Sequence, residues 1–257
     1  MASGISAQTP NPPTSQNAFP SHRLTLRQRY PEKQPLCLVA CGSFSPITYL
    51  HLRMFEMASD YAKFNTDFEI MGGLAPAIHR LRMCELAVEP ADWLMVDHWE
   101  AKNSSYIPTA LVLDHFNHEI NEVLGGAEKP DGTRVPMRIV LLAGADLIQT
   151  MSTPGVWSSE DLKHILRVYG AFIVERQGTD IDDALSSLEA FRNNIYVIKQ
   201  IIQNDVSSTK IRLFLRRELS IRYLVPSAVV EYIEENDLYK EEGTTSIEDK
   251  GKEKADG

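Results

Sequence analysis

The sequence has few of the features that mark secreted, membrane-spanning or nucleic-acid-coating proteins. Its only cysteines are Cys37, Cys41 and Cys84, without a CxxC pair, which favours reduced thiols in the nucleus or cytoplasm. No apolar stretch reaches the roughly 18 residues of a membrane span, and residues 1–35 contain no apolar run typical of a secretory signal. The formal net charge of -9 argues against a non-specific nucleic-acid binder. We therefore expect neither nucleic acid nor membrane as a partner, although a local basic pocket for phosphates is compatible with this charge.

The remaining composition is typical of one globular domain. With 257 residues, 43% of them hydrophobic and 24% charged, the chain can bury one sizeable core. Polar composition predicts a disordered arm over residues 1–34 and a disordered tail over residues 241–257. The domain is then expected over residues 35–240, and we find no internal repeat in it.

Short apolar runs alternate with amphipathic stretches across this domain. Strands are predicted over residues 36–40, 68–71, 93–96, 138–143, 171–174 and 195–198. Helices are predicted from near Pro46 and over residues 77–87, 107–123, 161–169, 181–191, 209–218 and 226–236. Residues 125–136 (GGAEKPDGTRVP) are predicted to form an exposed loop. The alternation predicts a single α/β domain with a doubly wound, mostly parallel sheet, whose ligands bind at the carboxyl ends of the strands.

The first predicted strand runs into a turn and a helix, residues 42–51 (GSFSPITYLH). Gly42 lets the backbone approach a ligand closely, and Pro46 suits a first helical position. A helix N-terminus presents free N–H groups to an anion, so we expect a phosphate site here. Thr48 and His51, three residues apart, should lie on the same side and face the turn. Taken alone, a histidine after a turn is more often a structural or surface residue, and the turn is neither a Walker loop nor a GxGxxG fingerprint.

A second candidate anion site follows the last predicted strand, at residues 204–212 (NDVSSTKIR). Its hydroxyl side chains can cap a helix whose free N–H groups would bind a phosphate. Lys210 and Arg212 add positive charge, and an arginine can hold a phosphate through two hydrogen bonds. A capped helix with a basic, solvated face is the alternative interpretation. The hydroxyl residues are Ser207, Ser208 and Thr209.

These two stretches resemble the phosphate-binding motifs of the nucleotidyltransferase superfamily. GSFSPITYLH is similar to the signature GxFxPxTxxH, with Ser45 where the family often has Asn. VSSTKIR is similar to ISSTxIR, with Val206 in place of Ile. The extensions HLRMFEMA and RRELSIRYLVPSAVVEYIEENDLY resemble the eukaryotic, fungal-like nicotinamide mononucleotide adenylyltransferases, so the likeness runs from about Leu36 to Tyr239. The resemblance implies a Rossmann-like nucleotidyltransferase fold.

The resemblance also implies which residues bind ATP. It assigns catalytic roles to His51, Lys210 and Arg212, with His51 stabilising charge at the reacting α-phosphate. The implied ATP-binding residues are Gly42, Ser43, Phe44, Thr48, His51, Ser207, Ser208, Thr209 and Arg212.

The implied mononucleotide site centres on residues 143–147 (AGADL), which match the family motif G(A/G)DL. From the residues alone, Asp146 could bind ribose hydroxyls or cap the next helix. In the family an aromatic residue at the position of Trp157 stacks on the nicotinamide ring, and Tyr106 stands where a second aromatic, commonly Trp, is used. The implied mononucleotide-binding residues are Tyr106, Thr109, Gly144, Asp146, Leu147, Trp157, Glu175 and Arg176.

Other candidate residues are interpreted structurally. His115, His118 and Glu119 lack the i, i+4 histidine spacing of HExxH and supply no third ligand, so we predict a helix surface rather than a metal site. Trp93 and Trp99 are predicted to be packing residues.

The sequence departs from the family after Gly73, which is followed directly by Leu74. In the family a segment with an SPV sequence and a lysine intervenes there and lines the mononucleotide pocket. Either another segment replaces it, or activity is reduced, or the sequence comes from a gene model or transcript that lacks a small piece.

The function implied is adenylyl transfer from ATP to nicotinamide mononucleotide, with Mg²⁺ carried by ATP and no resident metal. The mononucleotide 5′-phosphate would attack the α-phosphorus in line, forming NAD and pyrophosphate, and positioning and charge neutralisation would provide the catalysis. The eukaryotic branch generally accepts nicotinic acid mononucleotide as well, and a homo-oligomer is expected. Two alternatives stay open: another nucleotidyltransferase of the superfamily, or a nucleotide-binding or chaperone-like protein that no longer catalyses.

Overall fold

The computed structural model describes residues 19–74, 78–103, 105–176 and 181–239, and its centre is a parallel sheet. The six strands of this sheet run in the order β3-β2-β1-β6-β7-β8, and every neighbouring pair is parallel. Strands β4 and β5 form a separate antiparallel hairpin. The predicted doubly wound α/β architecture is confirmed. The strands are β1 (Gln34–Val39), β2 (Phe68–Leu74), β3 (Leu94–Met95), β4 (Ala127–Glu128), β5 (Arg134–Val135), β6 (Arg138–Gly144), β7 (Ala171–Val174) and β8 (Ile195–Ile198).

Helices connect these strands and cover both faces of the sheet. The α-helices of the described residues are α1 (Tyr49–Asn65), α2 (Ile78–Val88), α3 (Trp99–Lys102), α4 (Thr109–Asn117), α5 (Ala145–Ser152), α6 (Ser159–His164), α7 (Ile181–Ser187), α8 (Ser208–Arg216) and α9 (Ser227–Glu235). Three predicted helices combine two helix types, because π-helical turns His118–Val123 and Ile165–Tyr169 follow α4 and α6, and a 3-10 helix, Glu189–Asn194, follows α7. No helix in the described ranges is long and apolar enough to cross a bilayer.

The alternation of side chains along β1 shows why the sheet is buried on both sides. Leu36 and Leu38 pack into one hydrophobic cluster, with α1, α2, α8 and α9. Cys37 and Val39 pack into the other, with α4, α5 and α7. Because neighbouring residues of a strand point to opposite faces, a continuous apolar strand requires helices on both sides.

The order of the strands reverses between β1 and β6, which are neighbours although β2 and β3 intervene in sequence. Helix α1 leaves β1 toward one face of the sheet, whereas α5 leaves β6 toward the other. The two connections therefore diverge and open a crevice at the carboxyl ends of these strands, as in doubly wound sheets generally.

Residues 19–34 are packed, although a disordered arm was predicted to extend to residue 34. Arg23 Nη1 donates to the carbonyl oxygen of Val88, the last residue of α2, at 2.9 Å and to that of Leu94 in β3 at 3.0 Å, and so ties the arm to both elements. Leu24 is buried, and Gln28 is only 3% exposed. The domain therefore begins no later than residue 19. Residues 1–18 and 240–257 lie outside the described residues, and disorder there stays a prediction.

The predicted exposed loop at residues 125–136 is also partly wrong. It contains the β4–β5 hairpin, and Ala127 at its start is completely buried. The backbone of Glu128 pairs with the arm, donating to the Leu26 carbonyl at 2.7 Å and accepting from Gln28 at 2.8 Å. The turn-forming residues predicted a loop but not the hairpin, because the arm that pairs with it lies far away in sequence.

Candidate active site

A cleft of about 490 Å³ opens at the carboxyl ends of β1, β6, β7 and β8. Its walls come from the β1–α1 turn, the start of α5, the end of β7 and the N-terminus of α8, so both sequence motifs meet on it. The implied site residues that line it are Gly42, Ser43, Phe44, His51, Gly144, Asp146, Leu147, Arg176, Ser207, Ser208, Thr209 and Arg212.

The β1–α1 turn ends in a helix cap. Helix α1 begins at Tyr49 and not near Pro46 as predicted, because Thr48 is its N-cap in an extended conformation. The Thr48 hydroxyl accepts the His51 N–H at 3.4 Å, and His51 Nδ1 accepts the Thr48 N–H at 2.9 Å. This is a capping box in which histidine takes the place usually held by Glu or Gln. Thr48 is completely buried and is not part of the cleft wall.

The cap determines which tautomer His51 adopts. A backbone N–H can only donate, so Nδ1 must be the acceptor, and in the neutral ring the proton is on Nε2. Burial, and after it the positive charge of Arg176, lower the pKa of His51 to about 4. At neutral pH His51 is therefore an uncharged side chain that lines the cleft with an N–H to donate.

The second motif caps α8 and packs against the first motif. The Ser207 hydroxyl accepts the Lys210 N–H at 3.3 Å, as an N-cap does. Ser208 Oγ donates to the Pro46 carbonyl at 2.8 Å, and Arg212 Nη1 donates to the Ser45 carbonyl at 2.6 Å. The N-termini of α1 and α8 are therefore held side by side on one cleft. At α1 the N–H groups of Thr48, Tyr49 and His51 already donate within the protein, so this end offers mainly positive dipole charge to an anion. At α8 the cap uses the Lys210 N–H and leaves those of Ser208 and Thr209 for an anion.

Lys210 lies away from the cleft, in contrast to Arg212. Its ammonium group contacts the Asp205 carboxylate, and this contact holds the pKa of Asp205 below its usual value. Lys210 is half-exposed and does not line the cleft. The geometry thus separates two cations that the sequence motif put together.

Arg176 links the end of β7 to two other elements of the site. Its Nη1 lies 2.7 Å from Asp146 Oδ2 at the start of α5, and its Nη2 donates to the Asp205 carbonyl at 2.8 Å. A ligand that binds Asp146 would have to compete with or share this ion pair.

The remaining mononucleotide residues are not in the cleft wall. Tyr106 is 82% exposed, and Thr109 is the first residue of α4. Glu175 contributes its backbone N–H to the Ile198 carbonyl. Trp157 is adjacent to the cleft, because its Nε1 donates to Oγ1 of Thr150, which lines it.

Several residues of the cleft wall were not anticipated from the sequence. Cys41 directly precedes the first motif and could have been included on that ground, whereas Met54, Phe55, Thr150 and Gln200 carry no sequence signal. Burial, followed by the charge of Glu100, raises the pKa of the Cys41 thiol.

The predicted helix-surface position is right for His118 and wrong for His115. His118 is exposed and pairs with Glu122. His115 is nearly buried, with Nε2 2.9 Å from the Asp97 carboxylate, and Trp99 stacks on its ring at a centroid distance of 4.3 Å. The prediction of Trp99 as a packing residue is confirmed. Within the described residues, no group of three or more ligating side chains could hold a metal ion.

The matching family model and the related proteins indicate the same family. Residues 39–214 match the cytidylyltransferase-like family model. The chain is 55% identical over 238 residues to nicotinamide/nicotinic acid mononucleotide adenylyltransferase 2 of Saccharomyces cerevisiae, covering 86% of this chain and 60% of that protein. It is 54% identical to the Schizosaccharomyces pombe enzyme of the same name, covering 87% and 65%, and 36% identical to adenylyltransferase 1 of Bos taurus, covering 82% and 91%.

The matched fungal proteins are longer than this chain and contain residues that it lacks. The chain spans less than two thirds of their length. The alignment with the Saccharomyces cerevisiae protein extends over 238 positions but uses only 86% of these 257 residues, so that protein has residues in the aligned stretch that this chain lacks. This agrees with the departure noted after Gly73.

Proposed function

The chain belongs to the cytidylyltransferase-like family, among the nicotinamide/nicotinic acid mononucleotide adenylyltransferases, and on this basis we propose that it transfers the adenylyl group of ATP to nicotinamide mononucleotide. The products would be NAD and pyrophosphate. The observation that carries the proposal is the meeting of two capped helix N-termini, with His51 and Arg212, on one cleft.

The ATP triphosphate would lie between the N-termini of α1 and α8. The α8 end offers the Ser208 and Thr209 N–H groups and the α1 end its positive dipole charge, and Arg212 retains further N–H groups beyond those bonded to Ser45 and Thr209. Gly42 lines this part of the cleft, and a Cβ there would lie 3.3 Å from the Phe44 ring, so a larger residue would crowd the turn. We propose that ATP enters as its Mg²⁺ complex, with the cation held by the phosphates.

The reaction needs positioning and charge neutralisation rather than a general base. An oxygen of the mononucleotide 5′-phosphate, ionised at neutral pH, would form a bond to the α-phosphorus while the bond to the β-phosphate bridging oxygen breaks. His51 would donate its Nε2 proton in a hydrogen bond to an α-phosphate oxygen, where charge builds up. Arg212 and the α8 N-terminus would neutralise the leaving pyrophosphate.

The mononucleotide would occupy the cleft beside α5, where Gly144, Asp146 and Leu147 lie. Asp146 could accept hydrogen bonds from ribose hydroxyls, and Trp157, which donates to Thr150 of the cleft wall, would stack on the nicotinamide ring. We propose that nicotinic acid mononucleotide is accepted too, as the names of the relatives indicate for those proteins. Assembly as a homo-oligomer and residence in the nucleus or cytoplasm stay predictions.

The test is turnover by the purified chain. Protein incubated with ATP, Mg²⁺ and either mononucleotide should release pyrophosphate and form the corresponding dinucleotide, measured by chromatography. A panel that exchanges CTP for ATP and other phosphomonoesters for the mononucleotide covers the remaining nucleotidyltransferase activities. If no dinucleotide formed but another combination of nucleotide and acceptor gave product, that activity would replace the one proposed.

The shortened connection after Gly73 favours one second candidate, a nucleotide-binding protein that no longer catalyses. Calorimetry with ATP and with nicotinamide mononucleotide separates the two. Binding of both ligands without any dinucleotide would support the non-catalytic alternative, whereas turnover would exclude it.

A further inference from the structure

The C-terminal segment of the described chain reaches back to the phosphate-binding turn. The Tyr239 hydroxyl, three residues beyond the C-cap of α9, lies 2.8 Å from Ser45 Oγ, a contact between residues 194 positions apart. The same Ser45 accepts Arg212 Nη1 at its carbonyl oxygen. Ser45 thus receives one bond from the anion-binding helix α8 and one from the end of the domain.

The turn needs such support because its backbone is strained. Phe44, immediately before Ser45, has a φ of 41°, in the left-handed region that residues other than glycine rarely adopt. Strained backbone persists only where its surroundings fix it, and such strain is found at ligand-binding sites. The Phe44 ring also packs edge-on against the His51 ring at 5.1 Å, so a relaxation of Phe44 would move the side chain proposed to donate to the α-phosphate.

Tyr239 is suited to hold this turn without contacting a ligand. It packs against the hydrophobic cluster formed by α1, α2 and α9, and it is not part of the cleft wall. Burial raises the pKa of its hydroxyl, so the phenol stays uncharged over the neutral range. A serine at position 45, where the family often has Asn, presents a single hydroxyl for which Tyr239 is the side-chain partner in the described structure.

We propose that Tyr239 is a positioning residue for ATP binding, which acts through Ser45 to keep the phosphate turn in its strained, anion-binding conformation. The inference rests on the proposed function for the identity of the nucleotide. It goes beyond that function because it gives a residue at the C-terminal end of the domain a role in how tightly the turn between β1 and α1 binds ATP.

The test compares two tyrosine hydroxyls within one segment. Tyr239→Phe removes only the contact with Ser45, and Tyr232→Phe is its matched control, because the Tyr232 hydroxyl bonds His79 Nδ1 at 3.0 Å and not the turn. Loss of one neutral hydrogen bond corresponds to about a three- to tenfold effect. We expect Tyr239→Phe to weaken ATP binding in calorimetry by that factor and to raise KM for ATP, with KM for the mononucleotide unchanged. Tyr232→Phe should bind ATP as the original chain does.

A double-substitution cycle completes the test. Ser45→Ala should reproduce the loss, and combining it with Tyr239→Phe should add nothing, since both remove the same contact. Unchanged ATP affinity in Tyr239→Phe, an equal loss in Tyr232→Phe, or additive losses would overturn the inference. Should Tyr239→Phe fail to fold, the ATP affinity of Ser45→Ala decides. Binding is measured without mononucleotide, so a chain that binds ATP but forms no NAD would refute the catalytic proposal and leave this inference testable.

Discussion

Two substitutions of His51 should separate its structural hydrogen bond from its proposed role toward ATP. Asn places an amide oxygen where Nδ1 lies, and so can still accept the Thr48 N–H, but it has no atom at the Nε2 position. Leu has a similar volume but neither accepts the Thr48 N–H nor donates into the cleft. Both variants therefore lose the Nε2 donor, and only His51→Leu also loses the capping hydrogen bond.

The expected magnitudes follow from these two losses. Thr48 is completely buried, so an unpaired N–H there should cost His51→Leu about 1–2 kcal/mol of unfolding free energy. His51→Asn should unfold close to the original chain, but in both variants the rate of NAD formation should fall about 100- to 1,000-fold, as for a lost donor to a developing anion. Urea unfolding at neutral pH and steady-state kinetics give the two numbers. Unchanged turnover in His51→Asn, or greater destabilisation in His51→Asn than in His51→Leu, would refute this reasoning.

The lowered pKa of His51 adds a pH dependence to the same experiment. The unfolded chain takes up a proton on this residue near pH 6.5, whereas the folded chain does so only near about 4. Between these values the unfolded state binds more protons, so stability falls as the pH falls. The shift corresponds to about 3 kcal/mol. We expect His51→Asn to lose correspondingly less stability between pH 7 and pH 4, and parallel curves for the two proteins would contradict the assignment.

Three further predictions follow from single contacts. Arg212→Met should reduce turnover at least about 100-fold, whereas Lys210→Met should reduce it only a few-fold, because Lys210 lies outside the cleft. Equal losses of turnover in initial-rate assays would contradict this difference. Gly170→Ala should destabilise the fold by several kcal/mol and Gly132→Ala by only about 1 kcal/mol. Both glycines have positive φ, but a Cβ at Gly170 would also lie 2.6 Å from a carbonyl oxygen. Similar urea midpoints for the two variants would disprove this prediction. Arg23→Met should cost about 1–3 kcal/mol in thermal unfolding, because it leaves the carbonyls of Val88 in α2 and Leu94 in β3 without this donor; an unchanged Tm would show the arm to be dispensable.

Local sequence was sufficient to predict the architecture and the two capped helix N-termini that meet on the cleft. The strands are continuous apolar runs, and each cap lies directly beside the helix that it begins. For this reason the turn at Gly42, the histidine at position 51 and the Ser207 cap could all be identified before their spatial arrangement was known. The strand–helix alternation also predicts a cleft at the carboxyl ends of the strands, but the pairing of β1 with β6, which sets where the strand order reverses, is a tertiary contact.

Tertiary contacts decided the rest, because those choices depend on partners distant in sequence. The motif alone could not tell that Lys210 turns to Asp205 while Arg212 turns to Ser45, since both cations leave the same helix turn. Nor could composition predict that a polar arm would bind α2 through Arg23. The turn between β1 and α1 shows the division most clearly: its residues come from one short stretch, but Ser45 and Pro46 within it are bonded by Ser208, Arg212 and Tyr239, more than 160 residues away.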